Sequence, residues 1–135
     1  MSIYLGLDSS TQSVTATAIE IDERQPSRGA ILFERSFRYD EALPHYGTEH
    51  GVLRSADPRT VHAPPLMWSE GLDRIISDLV RDAGIDWSRL RAISGSAQQH
   101  GSVYVNEKAR QRLGSLEPAR PLADQLSGVF SRRTS

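Results

Sequence analysis

Apolar and polar residues alternate from the first positions of the chain. Ile3, Leu5 and Leu7 interleave with Tyr4, Gly6 and Asp8, a period of two that predicts a strand with one face in a core. Ser9, Ser10, Thr11, Gln12 and Ser13 follow. Their short side chains compete with the backbone for hydrogen bonds and predict a turn. Val14 to Ile21 resumes an apolar, β-branched run and predicts the returning strand. Asp22 to Gly29, with Pro26 and Gly29, predicts a charged connecting loop. Ile31, Phe33 and Phe37 among polar neighbours predict a third strand over Ala30 to Tyr39. Three successive strands joined by short turns make an antiparallel meander.

The period then changes. Asp40 to Val61 carries Pro44, Gly47, Gly51 and Pro58 without sustained periodicity, which predicts a long loop, of the kind that is functional or disordered. His45, Tyr46 and His50 lie in it, but two histidines five residues apart make no complete metal site, and they read as solvated loop chemistry. From Pro65 to Ala83 the apolar positions Leu66, Trp68, Leu72, Ile75, Ile76, Leu79, Val80 and Ala83 recur mainly at three and four. Prolines at the start and Gly84 at the end suit a helix with one buried stripe. Met67 and Trp68 fall with that stripe and read as packing residues. Leu90 to Ser94 predicts a short buried strand and Val103 to Val105 another. Asn106 to Gly114 predicts a short helix, and Pro121 to Phe130 a helix weakened by Gly128. The terminal SRRTS has no element to join, and there is no internal repeat or low-complexity tract.

Composition narrows the function. An apolar fraction of 38% over 135 residues supports one globular core. A net charge of −1 with both signs interspersed gives no electrostatic footprint for nucleic acid or an anionic membrane, so neither is expected as a partner. No apolar run approaches a membrane span, and with the first strand predicted from residue 3 no signal segment is expected. The absence of cysteine excludes disulfide and thiolate chemistry and fits a reducing compartment, with the cytoplasm as the default.

Two stretches carry candidate chemistry. In LGLDSSTQS, Asp8 ends a strand and the hydroxyls of the following turn gather beside it. Turn N–H groups and hydroxyls donate to phosphate oxygens, and a carboxylate holds Mg²⁺ directly or through water. This is not a Walker A loop, which needs a Gly-rich turn and a Lys leading into a helix. Ordinary hairpin chemistry is the alternative for these residues. In GSAQQHG, Gly95 to Gly101, small residues allow close backbone approach while Gln98, Gln99 and His100 offer donors and acceptors. Such a set reads hydroxyl groups, as on a sugar or polyol. Satisfying backbone groups at a strand end is its alternative.

Together, LGLDSSTQS and ISGSAQQHGSVY resemble the FGGY carbohydrate kinases, xylulokinase-like members of the eukaryotic type most of all. PLMWSEGLDRIISDL and HYGTEHGV between them look like the same subfamily, so the resemblance runs along essentially the whole chain. It implies an α/β fold: the RNase-H-like half of an actin-like ATPase (sugar kinase, heat-shock, actin), a mixed sheet with flanking helices. It also implies ATP and Mg²⁺. By the match, Asp8 is the catalytic and metal-orienting carboxylate, Ser10, Thr11 and Gln12 lie near the phosphate path, and Gln99 and His100 bind the hydroxyls of a small-molecule sugar.

Members of that family are several times longer, carry a Trp-x-Asp motif soon after the position of Ser135, and place their catalytic base in a later Asp. The resemblance therefore implies that residues 1 to 135 are a partial N-terminal kinase domain without its C-terminal domain. By itself such a piece is expected to turn over little or nothing. The intact protein is expected to phosphorylate a ketopentose, D-xylulose first. Ribulose, glycerol or a related polyol stays open as the substrate, as does a non-catalytic sugar-binding module. Exposed apolar surface on the isolated piece makes self-association, a homodimer included, an expectation.

Overall fold

The computed structural model describes residues 1–131. The expectation for SRRTS falls, from residue 132 onward, outside them. Four strands form one mixed sheet in the order β3-β2-β1-β4. β1 (Ser2–Ser9), β2 (Ser13–Ile21) and β3 (Gly29–Arg38) pair antiparallel in sequence, the expected meander. β4 (Leu90–Ala97) returns beside β1 and runs parallel to it. The α/β class and the mixed sheet are as expected.

Alternation in sequence becomes sidedness in the sheet. Ile3 and Leu5 of β1 and Val14, Ala16 and Ala18 of β2 are buried on one face, because successive side chains of a strand point to opposite sides. α2 (Pro65–Asp82) covers this face. Its buried positions Met67, Gly71, Ile75 and Leu79 recur every four residues, which lines them up along one helix stripe. Full burial of side chains such as Met67, Ile75 and Leu79 is worth roughly 1.5–3 kcal/mol each. Val80, expected in the stripe, is exposed on the far side of the helix. An ion-pair network ties the end of α2 to β3: Arg35 meets Asp82 at 2.6 Å and Asp78 at 3.5 Å, and Arg81 joins both carboxylates. Arg81 first, then Arg35, holds the Asp82 carboxyl down at about 2.

Several expectations are corrected. Tyr39 does not end β3 but opens a one-turn helix, α1 (Tyr39–Ala42), followed by a 3₁₀ turn at Pro44–Tyr46. The strand expected over Leu90 to Ser94 continues to Ala97 and is exposed apart from Leu90. It is an edge strand, and α2 packs over β2 and β3, so no layer lies above it among the described residues. Val103 to Val105 forms no strand of the sheet. Val105 makes one isolated bridge to Phe130, and Tyr104 accepts from the Ser131 N–H. The expected helix before Gly114 is α3 (Ala109–Leu113). α4 (Leu122–Leu126) stops short of Phe130 because Ser127 is extended and Gly128 takes φ 79°. Val129 and Phe130 fold back onto Ala109 and Leu126 as a small second core.

Candidate functional site

The parallel pairing of β1 and β4 brings the two chemistry-bearing stretches to one edge of the sheet. Asp8 is the register partner of Ser96, and Ser9 that of Ala97. The ladder continues one step further, with the Gln98 N–H donating to the Ser9 carbonyl at 3.0 Å. Asp8 and the segment from Gln98 to His100 therefore lie together at the carboxyl ends of neighbouring parallel strands, where open α/β sheets commonly bind ligands.

Asp8 is exposed, on the sheet face opposite the α2 core, and its Oδ1 accepts from Ser96 Oγ at 2.7 Å. The turn beyond it is closed by Ser10. Its N–H donates to the Ser13 carbonyl at 2.9 Å, and its Oγ lies 3.0 Å from Ser13 Oγ. Gln12 is held from the side of α1: its carbonyl accepts from the Tyr39 N–H and its Oε1 from Arg38 Nη2, both at 2.9 Å. Tyr39 also shares a 2.8 Å hydroxyl contact with Ser9. Burial pushes the Tyr39 phenol above its ordinary range, and the nearby Asp8 charge adds to this against the Ser9 hydrogen bond. Among the described residues, the Thr11 hydroxyl and the Thr11 and Gln12 N–H groups have no hydrogen-bond partner. Successive unpaired N–H groups in a turn make an anion-binding concavity.

On the neighbouring strand, Gln98, Gln99 and His100 are all exposed, and their side chains make no hydrogen bond to a described residue. His100 sits at φ 59°, a left-handed conformation uncommon for a residue other than glycine. At the strand end the ladder pairs the Gln98 N–H, and none of these three side chains bonds a described backbone group. That counts against the alternative in which they serve only as local caps.

Between this edge and the start of α2 lies a cavity of about 330 Å³, lined by Leu7, Ser9, Trp68, Leu72, Gly95 and Ser96 among others. Trp68 Nε1 is buried with no partner. A wider hollow of about 600 Å³ between α2 and residues 118–124 shares none of these residues. His45 and Tyr46 meet at the Glu70 carboxylate, at 2.9 and 2.8 Å. Burial raises Glu70, but the His45 and Tyr46 hydrogen bonds outweigh it and bring the carboxyl below its usual range. His45 and Tyr46 thus pair, from the loop, with a carboxylate of α2.

No group of three or more His, Cys, Asp or Glu side chains placed to hold a metal occurs among the described residues. A lone carboxylate with one oxygen uncommitted, beside unpaired N–H donors, does fit Mg²⁺, which keeps waters and binds through one or two carboxylates and substrate phosphates. The sequence did not reveal that Asp40 takes part. Its carboxylate accepts from Thr48 Oγ1 and from the His50 and Gly51 N–H groups, which seats the long loop against Thr11. Glycines at 47 and 51 downstream of an acidic residue were the available signal.

No family model matches the chain. It is 41% identical over 127 residues to the xylulose kinase of Mus musculus, covering 94% of this chain and 22% of that protein. It is 38% identical over 135 residues to xylulose kinase 2 of Arabidopsis thaliana, with 99% and 23% covered. To the probable D-xylulose kinase A of Arthroderma otae it is 36% identical over 129 residues, with 96% and 21% covered. The chain thus spans little more than a fifth of the length of the curated relatives it matches. A solved Ppx/GppA family structure from Aquifex aeolicus is 12% identical at a TM-score of 0.43, covering 71% of this chain and 26% of its own, a likeness too distant to carry weight.

Proposed function

We propose that this chain is the N-terminal part of an ATP-dependent sugar kinase, one that converts D-xylulose to D-xylulose 5-phosphate. What supports the reading most is the juxtaposition at one sheet edge of an exposed carboxylate, Asp8, with unpaired donors of the Thr11 turn. Beside them stand the uncommitted Gln99 and His100. The likeness to xylulose kinases along nearly the whole chain supports the sugar. Phosphoryl transfer depends on positioning and charge stabilisation more than on covalent chemistry, and these residues divide that work. The Thr11 and Gln12 N–H groups and the Thr11 hydroxyl donate to triphosphate oxygens, with Ser10 closing the turn that presents them. Asp8 faces the same phosphates and would hold Mg²⁺, which when bound supplies charge neutralisation there. Gln99 and His100 orient the sugar through its hydroxyls.

General-base catalysis, commonly worth about a hundred- to ten-thousand-fold, belongs in this reading to an Asp of the longer polypeptide, as do the second lobe and a cytoplasmic location. The test is a coupled assay on that longer polypeptide, with ATP and a panel of ketoses and polyols. D-xylulose is expected to give the highest kcat/KM; ribulose or glycerol ahead by orders of magnitude would overturn the substrate. Asp8→Asn is expected to lower kcat with little change in sugar KM, since metal and phosphate geometry matter most in the transition state. His100→Ala is expected to raise sugar KM first. An unchanged sugar KM would remove His100 from the site.

A further inference from the structure

The long loop after β3 is built around one carboxylate. Asp40 stands in the first turn of α1. It accepts from Thr48 Oγ1 at 2.7 Å, from the His50 N–H at 2.6 Å and from the Gly51 N–H at 3.0 Å. Gathered in this way, Gly51 is buried at φ 80° and lies so close to the β1–β2 turn that a Cβ there would stand 1.9 Å from the Thr11 carbonyl oxygen. It would also stand 3.1 Å from Gln12 Cα.

A planar trans peptide has its C=O and N–H on opposite sides. With the Thr11 carbonyl turned against Gly51, the Gln12 N–H of the same peptide points away from the loop, and it is one of the unpaired donors. The Gln12 carbonyl is fixed in turn by the Tyr39 N–H. The Thr11–Gln12 peptide is therefore pressed by the loop that Asp40 gathers, and the following Gln12–Ser13 peptide is held by the residue before Asp40.

We propose that Asp40 and Gly51 are positioning residues for triphosphate binding: together they set the direction of the Gln12 N–H and hold the turn in its donor-presenting form. This deepens the proposed function and rests on its reading of the Thr11 turn as a phosphate site. The device works by close approach, so only a residue without a side chain serves at position 51. Asp40 supplies the pull and touches no substrate.

The experiment is an amide-resolved NMR titration of the chain with Mg²⁺ and tripolyphosphate. In the wild type the Thr11 and Gln12 amides are expected to shift saturably; no response there would sink the phosphate reading and this proposal with it. Gly51→Ala is then expected to weaken the affinity about tenfold or more, since small misplacements of positioned groups are costly. Gly47→Ala is the control, because Gly47 has φ 66° with nothing within 4 Å of its added Cβ. It carries a similar backbone strain without touching Thr11 and is expected to bind as the wild type does. Equal binding by Gly51→Ala, or an equal loss in Gly47→Ala, overturns the positioning role while leaving the phosphate site standing. Should Gly51→Ala not fold, Asp40→Asn keeps the side chain's size but replaces one acceptor oxygen by a donor. The same loss is expected of it, and wild-type affinity would overturn the proposal.

Discussion

Gly71→Ala tests the packing that carries the sheet edge, because two effects of opposite sign meet there. Inside an exposed helix the change from Gly to Ala stabilises by about 1 kcal/mol. At position 71 the new Cβ would stand 2.7 Å from Tyr39 Cε1, and 3.5 and 3.8 Å from two further ring carbons. The ring has nowhere to go. Tyr39 is fully buried, its hydroxyl is 2.8 Å from Ser9 Oγ, and it meets Phe37 edge-on at 6.3 Å and 85°. Overpacking of this kind costs about 1–3 kcal/mol, so the balance is a net loss of roughly 1 kcal/mol. For a chain of this size that lowers the thermal midpoint by roughly 4 °C. Urea unfolding followed by circular dichroism reads the sign directly as a fall in the midpoint concentration. The double variant Gly71→Ala with Tyr39→Leu removes the ring edge that the methyl strikes, and a coupling of about 1 kcal/mol is expected between the two changes. A raised midpoint in the single variant, or strict additivity in the double, would refute the reasoning.

Three further outcomes follow from the same geometry. The Thr48 hydrogen bond first, then those from Gly51 and His50, hold the Asp40 carboxyl below the ordinary Asp range. A depressed folded value contributes stability that is present above about pH 4 and is lost as pH falls through the lowered value. The His50 and Gly51 amide shifts are expected to titrate at that lowered value; a midpoint at or above the ordinary one would remove the interaction. Trp68→Phe is expected to cost less than about 1.5 kcal/mol by urea unfolding, because the indole N–H it deletes has no partner to lose. A loss of several kcal/mol would mean that the N–H is paired. In β4, an open edge with Arg91 its one charged residue, Ile93 is 58% exposed, and such edges invite pairing between molecules. Ile93→Lys is expected to reduce concentration-dependent mass growth in analytical ultracentrifugation, and an unchanged profile would absolve this strand.

The elements were legible wherever neighbours in sequence are also neighbours in structure. The alternation of Ile3, Leu5 and Leu7 placed β1 within one residue at either end, and the spacing from Leu66 to Ala83 placed α2. Asp8, the Ser10 to Gln12 turn, Gln99 and His100 could be named as candidates because the types of side chain that handle phosphate and sugar hydroxyls cluster locally. Exposure was less legible. LRAIS reads as buried, yet whether a strand is covered depends on which strands α2 crosses, and the strand itself does not encode that. Val103 to Val105 is apolar enough for a strand, but among the described residues its backbone meets Phe130 and Ser131 and not the sheet.

Local chemistry along the chain determined the strands, the long helix and the inventory of groups able to meet phosphate and sugar. Only the tertiary structure decided that Asp8 and Gln99 share an edge, since 91 positions in sequence separate them and the parallel register of β1 with β4 joins them. It also decided that Asp40, with no motif to mark it, draws Gly51 onto Thr11. The physical reason is range: periodicity and turn propensity act over a few residues, whereas a backbone carbonyl pressed against a distant glycine exists only once the chain has closed upon itself.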